Sequence, residues 1–144
     1  MNTGFIATQS VTINASAAKV WKALIDPKMI KQYLFGTEAI SDWKVGSPII
    51  YRGVWKEKAY EDKGTILTIV PERLLETTYW SGMSGLADVP ENYKKVIYKI
   101  APANQGTTLT VIQDNNATED EKNHSEENWK IVLNALKELV EKSA

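Results

Sequence analysis

The feature that most constrains the fold is one long helical segment near the end of the chain. Thr118 and Glu121 have the spacing of a capping box, which begins a helix by bonding its first free backbone N–H groups. Acidic residues follow at once and lysines lie at the other end, as the helix dipole favours. We therefore predict a helix over residues 119–142, about 36 Å long at 1.5 Å per residue. Such a helix can cross a whole small sheet.

The apolar stripe of this helix indicates which of its side chains face the interior. Trp129, Leu133 and Leu136 lie along the stripe. His124, the only histidine, falls about 120° from the centre of the stripe, so we expect it at the surface. Ser125 continues the stripe toward the helix start. The stripe thus becomes polar there, either because the helix overhangs the sheet or because this end lines the mouth of a cavity.

Most segments before this helix alternate between apolar and polar residues, as half-buried strands do. The first strand spans residues 5–13. Two short helices follow, one capped by Ser16 and one with Pro27 in its first turn. Further strands are predicted at residues 39–43, 46–55, 63–70, 74–80, 93–101 and 106–114. This order predicts an α+β fold with a mostly antiparallel sheet and its helices on one face. Loop 81–92 is either a functional rim or a tolerated insertion.

The residues that these strands are predicted to turn toward the interior include more polar and aromatic side chains than a purely structural core needs. Leu67 is also predicted to face inward, and Tyr33 lies on the apolar side of the second short helix. A cavity with convergent polar groups would explain this composition; a core built from large residues, with a buried water, is the alternative. The candidate ligand-binding residues are Gln9, Tyr33, Tyr51, Trp55, Leu67, Thr77, Tyr79, Tyr98, Gln113, Ser125, Trp129, Leu133 and Leu136.

Composition excludes several classes of protein. The chain has 144 residues and a net charge of −1, and we expect one domain over residues 1–144 with no attraction to nucleic acid. It has no cysteine, which excludes thiol catalysis, and a single histidine argues against a zinc site. No apolar run approaches the ~18 residues of a membrane-spanning helix. No catalytic or cofactor motif is found, so we predict no catalytic residue, metal or cofactor. The absence of a signal-peptide pattern favours a cytoplasmic location.

The ordered set of segments resembles a known family. It is similar to the START-related, helix-grip (SRPBCC) superfamily, in the branch homologous to the C-terminal domain of the activator of the heat-shock-protein-90 ATPase. No single motif is specific, but together the matching segments cover nearly the whole chain. They are residues 20–27, 43–49, 63–75, 79–100, 106–116 and 124–141.

The resemblance implies a curved seven-stranded antiparallel sheet that grips the long C-terminal helix. A cavity between sheet and helix would take a small hydrophobic or aromatic molecule, such as a lipid, a polyketide or a flavonoid. Gln9 and Gln113 would be neighbours, because the first and last strands pair in this fold. Gly46-Ser47 departs from the two adjacent glycines that the family often has.

The resemblance leaves two other functions open. A polyketide cyclase or aromatase is one alternative, and contact with a chaperone is the other. We expect no additional domain of the full co-chaperone in a chain of 144 residues, so we do not carry that activity over with the fold. We expect a monomer.

Overall fold

The computed structural model describes residues 4–82 and 84–142, except the side chain of Trp55. The strands are β1 (Phe5–Ile13), β2 (Glu38–Ser41), β3 (Pro48–Trp55), β4 (Lys58–Val70), β5 (Leu74–Ser81), β6 (Lys94–Ala103) and β7 (Gly106–Asn116). The helices are α1 (Ala17–Ile25), α2 (Pro27–Tyr33) and α3 (Glu119–Lys142). The strands form one curved antiparallel sheet in the order β1-β7-β6-β5-β4-β3-β2. The predicted α+β helix-grip fold is confirmed.

Local capping explains why two helices rather than one follow β1. The Ser16 side chain accepts a hydrogen bond from the backbone N–H of Lys19 (3.3 Å) and so begins α1. Asp26 ends α1 in an extended conformation, because the residue before a proline avoids helical geometry. Its side chain then accepts from the N–H of Lys28 (2.9 Å) and caps α2. The two helices therefore meet at a fixed corner.

Helix α3 begins where the capping box predicts, with Thr118 Oγ1 accepting from the N–H of Glu121 at 3.1 Å. Polar side chains of α3 also bond the outer edge of β1. The N–H groups of Thr8 and Asn14 donate to Glu126 (3.0 Å) and Glu141 (2.8 Å). An edge strand otherwise leaves such groups unpaired, so α3 protects the sheet as well as packing on it. Within the described chain, no helix is long and apolar enough to cross a membrane.

The main hydrophobic core lies between the sheet and the C-terminal half of α3. Leu133 and Leu136 are 2% and 1% exposed, and both pack in this core. Tyr33 is also buried in it, and its hydroxyl donates to the carbonyl of Ala23 (2.9 Å). The structure thus places three candidate ligand-binding residues in the core: Leu133 and Leu136 where α3 packs on the sheet, and Tyr33 where α2 meets α1.

A β-bulge in β4 corrects the predicted direction of Leu67. Ile66 pairs with Thr77, but Thr68 pairs with Glu76, so the register shifts by one residue at Leu67. Leu67 is 38% exposed whereas Ile66 is fully buried. Leu67 is not a cavity residue, because the bulge turns it away from the interior.

Candidate functional site

A cavity of about 430 Å³ lies between the sheet and the N-terminal half of α3. Its volume is within the range of about 300–1,000 Å³ that is usual for small-molecule sites. The inner face of five neighbouring strands, the segment after α2 and one face of α3 line it. The lining residues are Leu34, Thr37, Tyr51, Tyr60, Asp62, Thr77, Tyr79, Val96, Tyr98, Gln113, Ser125, Asn128, Trp129 and Val132.

Seven predicted residues lie together in this lining: Tyr51, Thr77, Tyr79, Tyr98, Gln113, Ser125 and Trp129. The strand residues meet because inward-facing positions on adjacent strands lie side by side in the sheet. Ser125 and Trp129 are one helical turn apart on α3 and face the same way. The polar start of the helical stripe therefore lines the cavity rather than overhanging the sheet. His124 is exposed, as predicted.

Trp129 closes the cavity by bonding to the sheet. Its indole Nε1 donates to Gln113 Oε1 at 2.6 Å, and its ring meets the ring of Tyr98 edge-on, with centroids 5.9 Å apart. The predicted neighbour of Gln113 was Gln9. The strands do pair, but Ala7 stands opposite Gln113, while Gln9 stands opposite Val111 and is not part of the lining. Gln113 is therefore satisfied by the helix rather than by β1.

Asn116 fixes the start of α3 beside the cavity. It is fully buried, and its amide nitrogen donates to the carbonyls of Phe5 (3.1 Å) and Gln113 (3.2 Å). Its oxygen accepts from Ser125 Oγ at 3.2 Å. A buried amide with each of its groups bonded holds the helix at a defined height above β7.

Asp62 and Tyr79 form a hydrogen-bonded pair inside the cavity. The Tyr79 hydroxyl donates to Asp62 Oδ2 at 2.7 Å. The other oxygen, Oδ1, is buried and has no hydrogen-bond partner among the described residues. Burial, then the Asp62 charge, raises the pKa of Tyr79, and burial raises the pKa of Tyr51 and Tyr98. These phenols are neutral near pH 7 and act as hydrogen-bonding groups rather than bases.

Two lining residues, Tyr60 and Asp62, were missed because β4 starts at Lys58 rather than at the predicted residue 63. The polar composition of this segment conceals the strand. The pattern that could have predicted this part of β4 is the alternation of Tyr60, Asp62, Gly64 and Ile66, which all face inward. Tyr60 also makes a short hydrogen bond with Thr37, in the segment after α2. Local sequence patterns do not show where that segment lies relative to the sheet, so its place in the lining was not predicted.

Not every part of the chain near the cavity contributes to it. The described part of the loop after β5 lies toward the outer face of the sheet, where Trp80 Nε1 donates to the carbonyl of Leu86 (3.3 Å). The side chain of Trp55, another predicted wall residue, lies outside the description. Among the described residues, no three histidine or carboxylate side chains gather as metal ligands would.

Comparison with known proteins supports the family resemblance that the sequence indicates. Residues 14–141 match the family model for "Activator of Hsp90 ATPase homolog 1-like protein". A protein from Cytophaga hutchinsonii, solved in solution, is 45% identical, with a TM-score of 0.85 over 99% of this chain and 98% of that one. No curated protein matches this chain.

More distant structures share the fold alone. A crystal structure from Mesorhizobium loti is 17% identical, with a TM-score of 0.81 over 97% of this chain and 99% of that one. The Aha1 dimer from Colwellia psychrerythraea is also 17% identical, with a TM-score of 0.74 over 95% of this chain and 96% of that one. Because the family model spans almost all of it, this chain belongs to the family of proteins that resemble homologue 1 of the activator of the Hsp90 ATPase.

Proposed function

We propose that this protein binds a small hydrophobic or aromatic molecule in the cavity between the sheet and α3. The observation that carries the proposal is the cavity itself, about 430 Å³ in volume and lined by eight aromatic or aliphatic side chains and six polar ones. Specific small-molecule sites commonly have this composition. The family commonly binds hydrophobic ligands, which supports the same conclusion.

The arrangement of α3 supports a preformed cavity rather than a loosely packed core. Towards its C-terminus the helix packs on the sheet through fully buried leucines. Towards its N-terminus it is held by directed bonds, from Ser125 to Asn116 and from Trp129 to Gln113. These bonds set the distance between helix and sheet beside the cavity. A ligand entering a preformed site loses less free energy to reorganisation of the protein.

In this proposal the rings of Tyr51, Tyr98 and Trp129 form the apolar walls. The hydroxyl of Thr77 and the amide of Asn128 are the lining groups that would orient polar atoms of the ligand. The Gln113 oxygen already accepts from Trp129, so Gln113 acts mainly by fixing that ring. Gln9 is not part of this set, because it lies outside the cavity lining.

The test is native mass spectrometry of freshly purified protein, followed by an NMR titration with lipids, flavonoids and other aromatic compounds. We expect a co-purifying small molecule, or amide shifts confined to Tyr51, Thr77, Tyr98 and Gln113 and to the indole N–H of Trp129. Shifts scattered over the outer face of the sheet, or no shifts with any compound, would reject the proposal.

One observation favours a second candidate, ring closure of a polyketide-like substrate. Asp62 and Tyr79 place a carboxylate beside a phenol inside the cavity, where Asp62 could move a proton of a bound substrate. A pH–rate profile with a polyketide mimic tests this idea, and absence of turnover above the buffer rate rejects it.

Contact with a chaperone is suggested only by the family description. Stimulation of chaperone ATPase by the purified chain is its test.

A further inference from the structure

We propose that the ligand of this cavity carries a protonated amine, and that Asp62 receives the ammonium group. The inference rests on the proposed binding function and specifies the chemistry of the ligand: an apolar, preferably aromatic body with one organic cation. Three independent properties of the cavity support it.

The first property is the charge of the lining. Of the described residues that line the cavity, Asp62 is the only carboxylic acid, and none is lysine, arginine or histidine. Lys94 lies on the same face of the sheet, but its ammonium is bound by Glu121 Oε2 at 2.7 Å. An anionic ligand, such as a fatty acid, would therefore meet a negative charge in a partly desolvated space without a cation to offset it. A cationic ligand would meet the opposite charge.

The second property is the free oxygen of Asp62. Oδ2 is engaged by Tyr79, whereas Oδ1 is buried and has no donor among the described residues. A buried carboxylate oxygen without a partner is unfavourable, so a hydrogen-bond donor at this position would stabilise the protein. The carboxyl group of aspartate turns readily about its last side-chain bond, which allows one oxygen to face a ligand. An ammonium N–H would supply a charge-assisted hydrogen bond.

The third property is the aromatic surround. Tyr51, Tyr60, Tyr79, Tyr98 and Trp129 are all in the lining. Ring faces attract cations through their quadrupoles, most strongly where water is excluded. The same rings also accommodate an apolar body. Carboxylate and rings together thus favour an amine with an aromatic or aliphatic body over a neutral molecule of the same shape.

The experiment compares three probes with one naphthalene body: 2-naphthylmethylammonium, 2-naphthylmethanol and 2-naphthoate. Each is titrated at pH 7 into the wild type, into Asp62→Asn and into the control Glu61→Gln. Glu61 is the exposed neighbour of Asp62 on the opposite face of β4, so the control removes the same charge from outside the cavity. Amide spectra report whether both variants are folded.

We expect the wild type to bind the amine about tenfold or more tightly than the alcohol, and the carboxylate least. Asp62→Asn should remove the preference for the amine, whereas Glu61→Gln should keep it. Equal binding of amine and alcohol by the wild type would overturn the inference, and so would a preference that survives in Asp62→Asn. In either case alcohol binding still supports the proposed function. Failure of all three probes, with no co-purifying molecule, would count against both. The wild-type comparison decides the question even if Asp62→Asn does not fold.

Discussion

Trp129 is the residue at which the helical stripe, the sheet and the cavity meet. Its N–H satisfies Gln113, which is only 7% exposed, and its ring packs against Tyr98. A tryptophan can do both because its large apolar ring carries one polar donor. The same side chain therefore stabilises the fold and forms a wall of the candidate site.

Replacing Trp129 with phenylalanine should separate these two contributions. The ring is largely kept, but Gln113 Oε1 loses its donor in a buried position. We expect a loss of about 1–3 kcal/mol in the free energy of unfolding, measured by denaturant titration. Trp80→Phe is the matched control, because the Trp80 hydrogen bond is exposed and its loss should change stability by less than about 0.5 kcal/mol. Equal effects of the two substitutions would contradict this account of Gln113.

The bulge in β4 makes neighbouring residues very unequal. Ile66→Ala should destabilise the protein by about 2–5 kcal/mol, because it leaves a cavity in the core. Leu67→Ala should cost only about 1 kcal/mol, since Leu67 is already 38% exposed on the other side of the strand. Thermal or denaturant unfolding of the pair checks the direction of both side chains. A larger loss for Leu67→Ala would show that the bulge is misplaced.

At the scale of elements, α3 has two functions on its two sides. Its apolar stripe packs on the sheet, while Glu126 and Lys137 bond backbone groups of the edge strand β1 and Glu141 bonds Asn14 just after it. The edge is thereby covered by the helix of the same chain rather than left open to another strand. This arrangement couples the position of α3 to the register of β1 and β7, and hence to the geometry of the cavity.

The bond from Asn14 to Glu141 should make stability depend on pH. The Glu141 carboxylate accepts a hydrogen bond from the backbone N–H of Asn14 and a second from Lys137. The first bond, and to a smaller extent the second, hold the pKa of Glu141 below its ordinary value of 4.5. A carboxylate with a lowered pKa in the folded state stabilises that state above its unfolded pKa and loses the effect as pH falls through the folded pKa. Glu141→Gln should therefore be less stable than the wild type at pH 7, and the difference should shrink below pH 4.5.

Thermal unfolding at several pH values measures this difference. Glu138→Gln is the control, because Glu138 is an exposed carboxylate on the same helix and forms no ion pair among those the structure describes. A stability gap for Glu141→Gln that stays constant between pH 7 and strongly acidic solution would contradict the assignment.

At the scale of the whole molecule, the cavity arises from the way one long helix crosses a curved sheet. The two surfaces pack tightly around Leu133 and Leu136, whereas around Ser125 and Trp129 they are joined by hydrogen bonds beside an open space. Apolar side chains fill the region of contact, and the open space remains available to a ligand. The core that holds the molecule together and the space that it offers are thus parts of one interface.

Filling this space should weaken the binding of a ligand in the cavity. Ser125→Trp places a large ring at the cavity end of α3, whereas Asn123→Trp places the same ring on the exposed side of the helix. We expect Ser125→Trp to weaken binding of a cavity ligand at least about tenfold and Asn123→Trp to leave it unchanged. Calorimetric titration of both variants provides the measurement. Equal affinities would mean that the ligand binds elsewhere.

The sequence by itself determined the type and order of the elements. Helix α3 could be predicted over residues 119–142 because its capping box and its periodicity are local properties of the chain. The inward rows that hold Tyr51, Thr77, Tyr79 and Tyr98 followed in the same way from strand alternation. These inferences need only neighbours a few residues apart.

Only the tertiary structure decided which of those residues line a space and which fill a core. Leu133 and Ser125 share one helical stripe, and their different roles depend on the height of α3 above the sheet. Leu67 faces outward because of a bulge, and Gln113 lies opposite Ala7 rather than Gln9 because of the register between β1 and β7. Curvature, bulges and register arise from packing between distant segments, so local periodicity carries no information about them.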